Sequence, residues 1–193
     1  SYSVSIIHSP YIVFHTKCIR ISSMHFPVPL EVKTVAEGLR KGGFEAYLVG
    51  GCVRDLLLGR KPKDWDITTN AKPEDIQCIF PDSFYENNFG TVGVKTESAD
   101  PSLLIIEVTP YRTESGYSDK RRPDTVEFGQ SLEDDLARRD FTINAIAYDE
   151  SKGHIVDPYI GQKDIELKVL RTVRDPEERF LEDGLRLMRA VRL

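Results

Sequence analysis

Residues 47–59 read Tyr-Leu-Val-Gly-Gly-Cys-Val-Arg-Asp-Leu-Leu-Leu-Gly, and residues 64–69 read Asp-Trp-Asp-Ile-Thr-Thr. The two segments predict a strand, a Gly-Gly turn, a short helix that carries an arginine, and a second strand that carries two carboxylates. Because side chains alternate along a strand, we expect Asp64 and Asp66 to point to one face and the tryptophan between them to point to the other.

The two carboxylates and the glycine turn together indicate a metal-dependent nucleotide site. Two like charges held side by side are costly unless a cation lies between them. Oxygen ligands suit Mg²⁺, which proteins commonly hold with one or two carboxylates and substrate phosphates. The backbone N–H groups at Gly50 and Gly51 and the following helix N-terminus can hold a phosphate, and Arg54 offers it a planar set of donors. The alternatives are an aspartate pair that only caps a turn and glycines that only shape it.

The composition of the 193 residues is that of a globular protein, with 40% apolar and 30% charged residues. The formal net charge of -5 gives no overall nucleic-acid signature, so any RNA contact must be local or lie outside this chain. The three cysteines are widely spaced and odd in number, which predicts reduced thiols in a cytoplasmic protein rather than disulfides or a zinc cluster. No apolar run approaches the roughly 18 residues of a membrane helix, so we expect no membrane partner.

The order of predicted elements indicates an α+β fold with three parts. Residues 1–23 contain no acidic residue, and we expect them to be a non-native or disordered leader, with translation starting at Met24. Residues 24–174 are expected to form the α+β head, and residues 175–193 the start of a truncated helical extension. The remaining predictions are strands at 45–49, 65–69, 90–96, 103–108, 145–149 and 169–173, helices at 30–41, 52–58, 72–80 and 183–193 with others beginning at 131 and 175, and a mobile polar loop at 112–125.

Four motifs occur in one order along the chain: Gly50-Gly51-x-x-Arg54-Asp55, Asp64-x-Asp66, Arg138-Arg139-Asp140-Phe141-Thr142-x-Asn144-Ala145 and Glu182-Asp183-x-x-Arg186. Over about residues 28–193 the chain resembles the class II tRNA nucleotidyltransferase (CCA-adding enzyme) and bacterial poly(A) polymerase family. The resemblance implies a polymerase-beta-like nucleotidyltransferase head with a mixed sheet and flanking helices, followed by an all-helical neck. It also implies template-independent addition of C and A from CTP and ATP to the 3′ end of tRNA.

The resemblance makes Asp64 and Asp66 the ligands of Mg²⁺ in a two-metal site, and it makes the glycine turn and Arg54 contacts of the triphosphate. Glu107 is the candidate third catalytic carboxylate. It is the single carboxylate in the apolar strand 103–108, and burying it without a cation or partner would be costly. The alternative is an ion pair between Glu107 and an arginine such as Arg112.

The Arg-Arg-Asp motif is implied to hold the nucleotide, with Arg139 as a nucleotide contact and Asp140 near the ribose. Successive basic residues on a helix cannot both face one way. We therefore expect one arginine to reach the nucleotide and the other to pair with Asp134 or Asp135. The alternative is a solvated, charged helix end.

Asp183 and Arg186 stand three residues apart, which predicts that they are neighbours on one helix face. A carboxylate accepts from the amino group that cytosine and adenine both carry, and an arginine can donate to the adjacent ring nitrogen. Guanine and uracil present a carbonyl and a ring N–H there, so polar groups would stay unpaired. This pairing matches the family's protein template for CTP and ATP, and Arg189 and Arg192 continue the arginine row towards phosphates. The alternative is an amphipathic helix with an internal salt bridge.

Other functions compete with CCA addition. A poly(A) polymerase, or an enzyme that adds only CC or only A, would share these motifs. A non-catalytic nucleotide-binding regulatory domain would not need the Asp64 and Asp66 pair. Arg121 and Arg122 resemble the family's flexible loop and are predicted to reshape the pocket between C and A addition. Most of the RNA-binding surface is expected outside this chain.

Overall fold

The computed structural model describes residues 24–86, 90–115, 125–128 and 131–193. The predictions for residues 1–23 and for Arg121 and Arg122 lie outside the described residues. The helices described are α1 (Leu30–Lys41), α2 (Gly51–Leu57), α3 (Pro73–Ile79), α4 (Leu132–Ala137), α5 (Gly161–Leu167), α6 (Pro176–Glu182) and α7 (Leu185–Arg192), with a 3-10 turn at Thr142–Asn144. The strands are β1 (Tyr47–Val49), β2 (Asp66–Thr69), β3 (Ser83–Tyr85), β4 (Val92–Lys95), β5 (Ile105–Pro110), β6 (Arg112–Ser115), β7 (Thr125–Phe128), β8 (Ala147–Asp149) and β9 (His154–Val156).

A seven-stranded mixed sheet organises the described part of the chain, in the order β3-β4-β5-β2-β1-β8-β9. β2 and β5 run parallel, whereas the other neighbours in this sheet are antiparallel. β6 and β7 form a separate antiparallel pair. The α+β class, with a mixed sheet and flanking helices, is therefore confirmed.

The core under the sheet fixes the strands that carry the candidate site. The inner face of α1, with Val32 and Leu39 fully buried, belongs to the same apolar cluster as Leu48 of β1 and Ile67 of β2. Trp65 joins this cluster and is only 2% exposed. Because full burial of a large apolar side chain contributes roughly 1.5–3 kcal/mol, this packing holds the start of β2 firmly in place.

Several sequence predictions differ from the observed elements. The segment 103–108 was expected to be buried on both faces, but burial alternates along β5, since residues on one face are buried and those on the other are partly exposed, beginning with Ile105. Leu104, just before the strand, is also about half exposed. Residues 169–173 do not form a strand, since a single bridge joins Thr172 to Phe141. The segment 112–125 was predicted to be a loop throughout, but its two ends pair as β6 and β7.

α5 was missed because neither end carries the usual sequence signal: Ile160 is not among the Ser, Thr, Asp and Asn residues that commonly begin a helix, and no glycine or asparagine ends it. The backbone is left-handed at Ile160 and at Lys168, the residues that flank the helix, and neither is glycine or asparagine. The first N–H groups of α5 are satisfied by Asp157, whose carboxylate accepts from the backbone of Gly161 and Gln162.

Among the helices described, none is both long and apolar enough to cross a lipid bilayer.

Candidate active site

The turn after β1 brings the backbone close to charged side chains. Gly50 has φ 78° and ψ −134°, a region that is essentially restricted to glycine. A Cβ atom at Gly50 would lie 3.0 Å from Nη1 of Arg139 and 3.6 Å from Oδ2 of Asp66. The glycine is therefore required both by the turn and by the approach of these two side chains.

Two carboxylates stand side by side across the parallel strands of the sheet. Asp66 of β2 lies opposite Glu107 of β5 in the strand register. Asp64 is exposed just before β2, and it lines a surface cleft together with Asp66, while Trp65 enters the core. The predicted alternation of Asp64, Trp65 and Asp66 is thus confirmed.

The charge of these carboxylates is poorly compensated by the protein. Burial raises the pKa of Asp66. The charge of Arg139 opposes this shift, whereas the negative charges of Asp64 and Glu86 add to it. Burial, followed by the negative charges of Asp66, Glu86 and Asp64, raises the pKa of Glu107 to about 7. Within the described residues the Glu107 side chain has no hydrogen bond or ion pair, so the alternative pairing of Glu107 with Arg112 is not formed. Such a cluster would gain from a cation.

The donor set fits a hard divalent cation. Asp64, Asp66 and Glu107 offer only oxygen atoms, which suit Mg²⁺. In the part of the chain that is described, no three His, Cys, Asp or Glu side chains converge closely enough to form a preformed metal cage. The carboxylates therefore resemble the incomplete kind of site in which substrate phosphates supply further ligands.

Both arginines of the Arg-Arg-Asp motif bind one carboxylate. Asp135, which is fully buried, accepts from Nε of Arg138 at 2.9 Å and from Nη2 of Arg139 at 3.0 Å. The expectation that only one arginine would pair was wrong. Asp134 is not a partner of the arginines in the hydrogen bonds described, because its backbone N–H and its carboxylate both engage Ser131 at the start of α4.

Arg139 interacts both with Asp135 and with Asp66, one of the carboxylates predicted to bind a metal. Burial disfavours the charge on its guanidinium, but Asp135, Asp66 and Asp140 outweigh burial and raise the pKa of Arg139. Its Nε is buried and has no hydrogen-bond partner in the described structure. Arg139 is thus a fixed cation with an unused donor beside Asp66 and Gly50.

A chain of hydrogen bonds connects Asp140 to Arg54, two residues predicted to contact the nucleotide, through Asn144. Asp140 accepts from the side chain of Asn144 at 3.3 Å, and Asn144 accepts from Nη1 of Arg54 at 2.8 Å. Arg54 also donates to Asp55. These contacts orient Arg54 at the cleft. Sequence reasoning missed the roles of Asn144 and Asp55, although both residues stand inside the motifs that it singled out.

Asp183 and Arg186 do not share a helix face, which corrects the prediction. Asp183 has an extended backbone where α6 ends, and its Oδ1 accepts from the backbone N–H of Leu185 at 2.8 Å, so a turn separates α6 from α7. Spacing predicted a continuous helix because it could not show this local competition between side chain and backbone.

The charged groups at this junction are already paired with protein groups. Glu182 accepts from Arg179 at 2.8 Å and also pairs with Arg186, whose Nη1 donates to the carbonyl oxygen of Arg179. Arg189 bridges Asp183, at 3.2 Å, and Asp140, at 2.9 Å. Arg179, which the sequence analysis did not select, also donates to the backbone of α4.

A cleft of about 1000 Å³ opens beside the glycine turn. Gly51, Arg54, Asp64, Asp66 and Arg192 line it. The other predicted site residues do not line this cleft: Gly50, Glu107, Arg139, Asp140, Asp183, Arg186 and Arg189. The structure therefore brings Asp64, Asp66, Gly51 and Arg54 to one opening. Glu107 and Arg139 do not line it but interact with Asp66.

Residues 46–171 match the family model described as Poly A polymerase head domain. The chain belongs to this head-domain family. The recognition made from the four motifs is thereby confirmed.

Curated relatives of this head domain are CCA-adding enzymes. The enzyme of Geobacillus thermodenitrificans is 52% identical over 155 residues, which are 80% of this chain and 37% of that protein. The enzyme of Geobacillus stearothermophilus is 48% identical over 163 residues, covering 84% of this chain and 39% of that protein. The chain thus spans about two fifths of the length of the curated relatives that it matches.

Solved structures share the architecture of the head domain. The Bacillus stearothermophilus CCA-adding enzyme in complex with CTP matches with a TM-score of 0.73 at 43% identity, over 86% of this chain and 39% of that one. A tRNA nucleotidyltransferase complexed with a primer tRNA and an incoming ATP analog matches with a TM-score of 0.64 at 32% identity, over 82% and 43% of the two chains. The predicted nucleotidyltransferase head is thereby confirmed.

Proposed function

We propose that this chain is the catalytic head of a tRNA nucleotidyltransferase that adds C and A from CTP and ATP to the 3′ end of tRNA. The reaction would take place in the cytoplasm, without a nucleic-acid template. The observation that carries the proposal is the set of poorly compensated carboxylates, Asp64, Asp66 and Glu107, beside the turn at Gly50. A pure binding domain would not need to place Asp66 and Glu107 side by side, with Asp64 two residues away from Asp66.

The carboxylates would hold Mg²⁺, with Asp64 and Asp66 as ligands and Glu107 beside them. When bound, Mg²⁺ supplies neutralisation of phosphate charge and orientation of the attacking and leaving oxygen atoms for in-line displacement. The protein's own part is to keep Asp66 and Glu107 in register through the parallel strands β2 and β5. The resident charge of Arg139 limits the repulsion without neutralising it.

The triphosphate would lie along the glycine turn and Arg54. Gly51 and Arg54 line the cleft, and a side chain on Gly51 would stand 3.7 Å from Nη2 of Arg54. Asn144 and Asp55 hold the guanidinium in place, so little side-chain entropy would be lost when a phosphate binds. Arg139, whose Nε donor has no partner in the described structure, would contact the nucleotide beside Gly50. Asp140 would lie near the ribose.

The choice of cytosine and adenine would fall to Asp183 and Arg186. Both are buried, and each already has protein partners. Reading a base edge therefore requires the α6–α7 junction to exchange these partners, and Arg189 would release Asp183 or share it with the base. Arg192, which lines the cleft, would meet phosphates, and Arg189 would do so once it leaves Asp183 and Asp140.

The test is Mg²⁺-dependent incorporation of labelled CTP and ATP into a tRNA that lacks its 3′-terminal CCA. We expect incorporation by the protein that contains this head, and its loss in Asp64→Ala with CTP binding retained. Asp82→Ala, which removes a carboxylate from an exposed pair with Lys95, is the matched control and should keep full activity. Binding of CTP without any incorporation would instead favour a regulatory nucleotide-binding domain.

The same assay separates the related enzymes. Long products from ATP alone on a generic RNA would indicate a poly(A) polymerase, and products that stop after CC or that need a pre-existing CC would indicate a partial activity. Products that end at CCA would support the proposal.

A further inference from the structure

The cleft carries a local excess of positive charge on a chain whose formal net charge is -5. Six basic and four acidic side chains line it: Arg54, Arg60, Lys61, Lys63, Lys168 and Arg192 against Asp55, Asp64, Asp66 and Asp164. The excess is confined to one opening, so it can act on a ligand at short range.

The two acidic side chains of the cleft other than Asp64 and Asp66 are already paired with arginines. Arg54 pairs with Asp55, and Asp164 accepts from Thr142 and Arg171. Lys61 is occupied by Asp100. These pairs leave the remaining cleft cations without a compensating carboxylate.

Four exposed cations that line the cleft have no such partner among the described residues: Arg60, Lys63, Lys168 and Arg192. Arg192 of α7 is proposed above to meet phosphates and is set aside here. We call Arg60, Lys63 and Lys168 the cationic rim. In the described structure none of their side chains makes a hydrogen bond or an ion pair. Arg60 and Lys63 lie on the connection between α2 and β2, whereas Lys168 ends α5, so two separate parts of the chain contribute charge to the same opening.

The backbone at Lys168 is left-handed, as it is at Ile160 and Arg174. Lys168 has φ 55° and ψ 41°, the left-handed conformation in which glycine or asparagine normally ends a helix. A lysine adopts this conformation less readily than glycine does, because its Cβ approaches the following carbonyl oxygen. The exposed side chain of Lys168 lines the cleft, where its charge can meet a ligand.

We propose that the cationic rim binds the backbone phosphates of the RNA strand whose 3′ end enters the cleft. This inference rests on the proposed function, because it takes an RNA strand as the substrate. Lys63 directly precedes Asp64, so a strand with its 3′-hydroxyl at Asp64 and Asp66 would carry its preceding phosphates past the rim. No Phe, Tyr or Trp is among the residues described as lining the cleft, so the rim reads phosphates rather than stacked bases.

The first experiment measures binding of a fluorescein-labelled single-stranded RNA octamer with a free 3′-hydroxyl to the chain, by anisotropy in EDTA without nucleotide. Arg60→Ala with Lys63→Ala should weaken binding about tenfold at low salt and reduce the slope of log K against log salt by about 1.4. The matched control is Lys33→Ala with Lys41→Ala, which removes the same charge from exposed positions of α1. The control should change affinity less than about twofold.

Lys168→Gly separates binding from folding. We expect RNA affinity to fall and the salt slope to decrease by about 0.7, while the midpoint of thermal unfolding stays the same or rises because glycine relieves the left-handed backbone. A purely structural lysine would give the opposite pattern, with a lower unfolding midpoint and unchanged RNA binding.

The triphosphate is the competing phosphate source, and CTP binding by equilibrium dialysis distinguishes it. The rim variants should leave CTP affinity unchanged. The proposal is overturned if the chain shows no salt-dependent RNA binding, if the rim double variant equals the α1 control, or if the variants weaken CTP rather than RNA. Because the assay needs neither metal nor turnover, an RNA-binding rim on an inactive protein would refute the proposed function and leave the rim standing.

Discussion

Charged side chains gather at the start of β2, where Asp66 lies opposite Glu107 of β5 on the two central strands, and at the α6–α7 junction. We call the first place the β2–β5 edge, and its charges are compensated less than those of the junction. At the edge, Asp66 and Glu107 lie side by side and Glu107 has no partner in the described residues. At the junction, Asp183 and Arg186 are buried and engaged by neighbouring groups. The edge is therefore incomplete without a ligand, whereas the junction is complete and must rearrange to receive one. Mutations at the edge should therefore lower activity without lowering stability, whereas mutations at the junction should lower stability.

The largest expected effect is at the edge. Asp66→Asn should lower single-turnover CTP incorporation about 10³-fold, equivalent to roughly 4 kcal/mol of lost transition-state stabilisation. Its free energy of unfolding should stay unchanged or rise by up to about 1 kcal/mol, because a repulsive charge is removed. Urea unfolding measured beside the activity checks both parts. A clear loss of stability in Asp66→Asn would mean that Asp66 is a structural partner and would remove the contrast with the junction.

The turn that joins the edge to Arg139 is the next test. Gly50→Ala should lower the free energy of unfolding by about 3 kcal/mol, since the alanine meets both an unfavourable backbone and Nη1 of Arg139. Gly43→Ala is the matched control, because Gly43 also has a positive φ but nothing lies within 4 Å of its Cβ position. That control should cost only about 1 kcal/mol. Equal losses in chemical denaturation would show that the approach of Arg139 does not matter.

The junction should show stability effects where the edge shows none. Arg186→Met should lower the free energy of unfolding by about 2 kcal/mol, because it removes buried hydrogen bonds while Arg179 still holds Glu182. Arg192→Met, at an exposed position of the same helix, should change it by less than about 0.5 kcal/mol. If Arg186→Met unfolds like the wild type, the pairing at the junction is not stabilising and the comparison fails on that side.

A smaller effect is expected from pH at the buried pair behind the edge. Burial works against the charge on Asp135, but Arg139 and Arg138 outweigh it, so the pKa of Asp135 is held below its usual 3.8. Its contribution to stability is present above the unfolded pKa and is lost as pH falls through the folded pKa. The amount is about 1.4 kcal/mol for each unit of lowering. Unfolding free energies from pH 6 to 2 should decline less steeply in Asp135→Asn, and an unchanged slope would contradict the pairing.

The edge was far easier to predict from sequence than the junction. Alternation along a strand depends only on backbone geometry, so Asp64, Trp65 and Asp66 could be assigned to faces without knowing their neighbours. Glu107 stood out as a carboxylate within an apolar strand, and the register of β2 and β5 then set it opposite Asp66.

The junction and α5 depended on local backbone choices that spacing does not reveal. A three-residue interval implies one helix face only if the helix continues, and the turn held by Asp183 interrupts it. α5 ends at Lys168 in a conformation that usually requires glycine, so no stop signal was visible. The cationic rim stayed hidden for the same reason, because its members meet only in the folded cleft.

The most direct test of the central claim is the response of unfolding free energy to Mg²⁺ at constant ionic strength. In the wild-type chain and in Asp183→Asn, stability should rise by about 1.4 kcal/mol for each tenfold increase in Mg²⁺ above the dissociation constant. In Asp66→Asn it should not respond. A response in Asp66→Asn equal to that of the wild type, or none in any of the three proteins, would contradict the assignment of the β2–β5 edge as the metal-dependent half of the site.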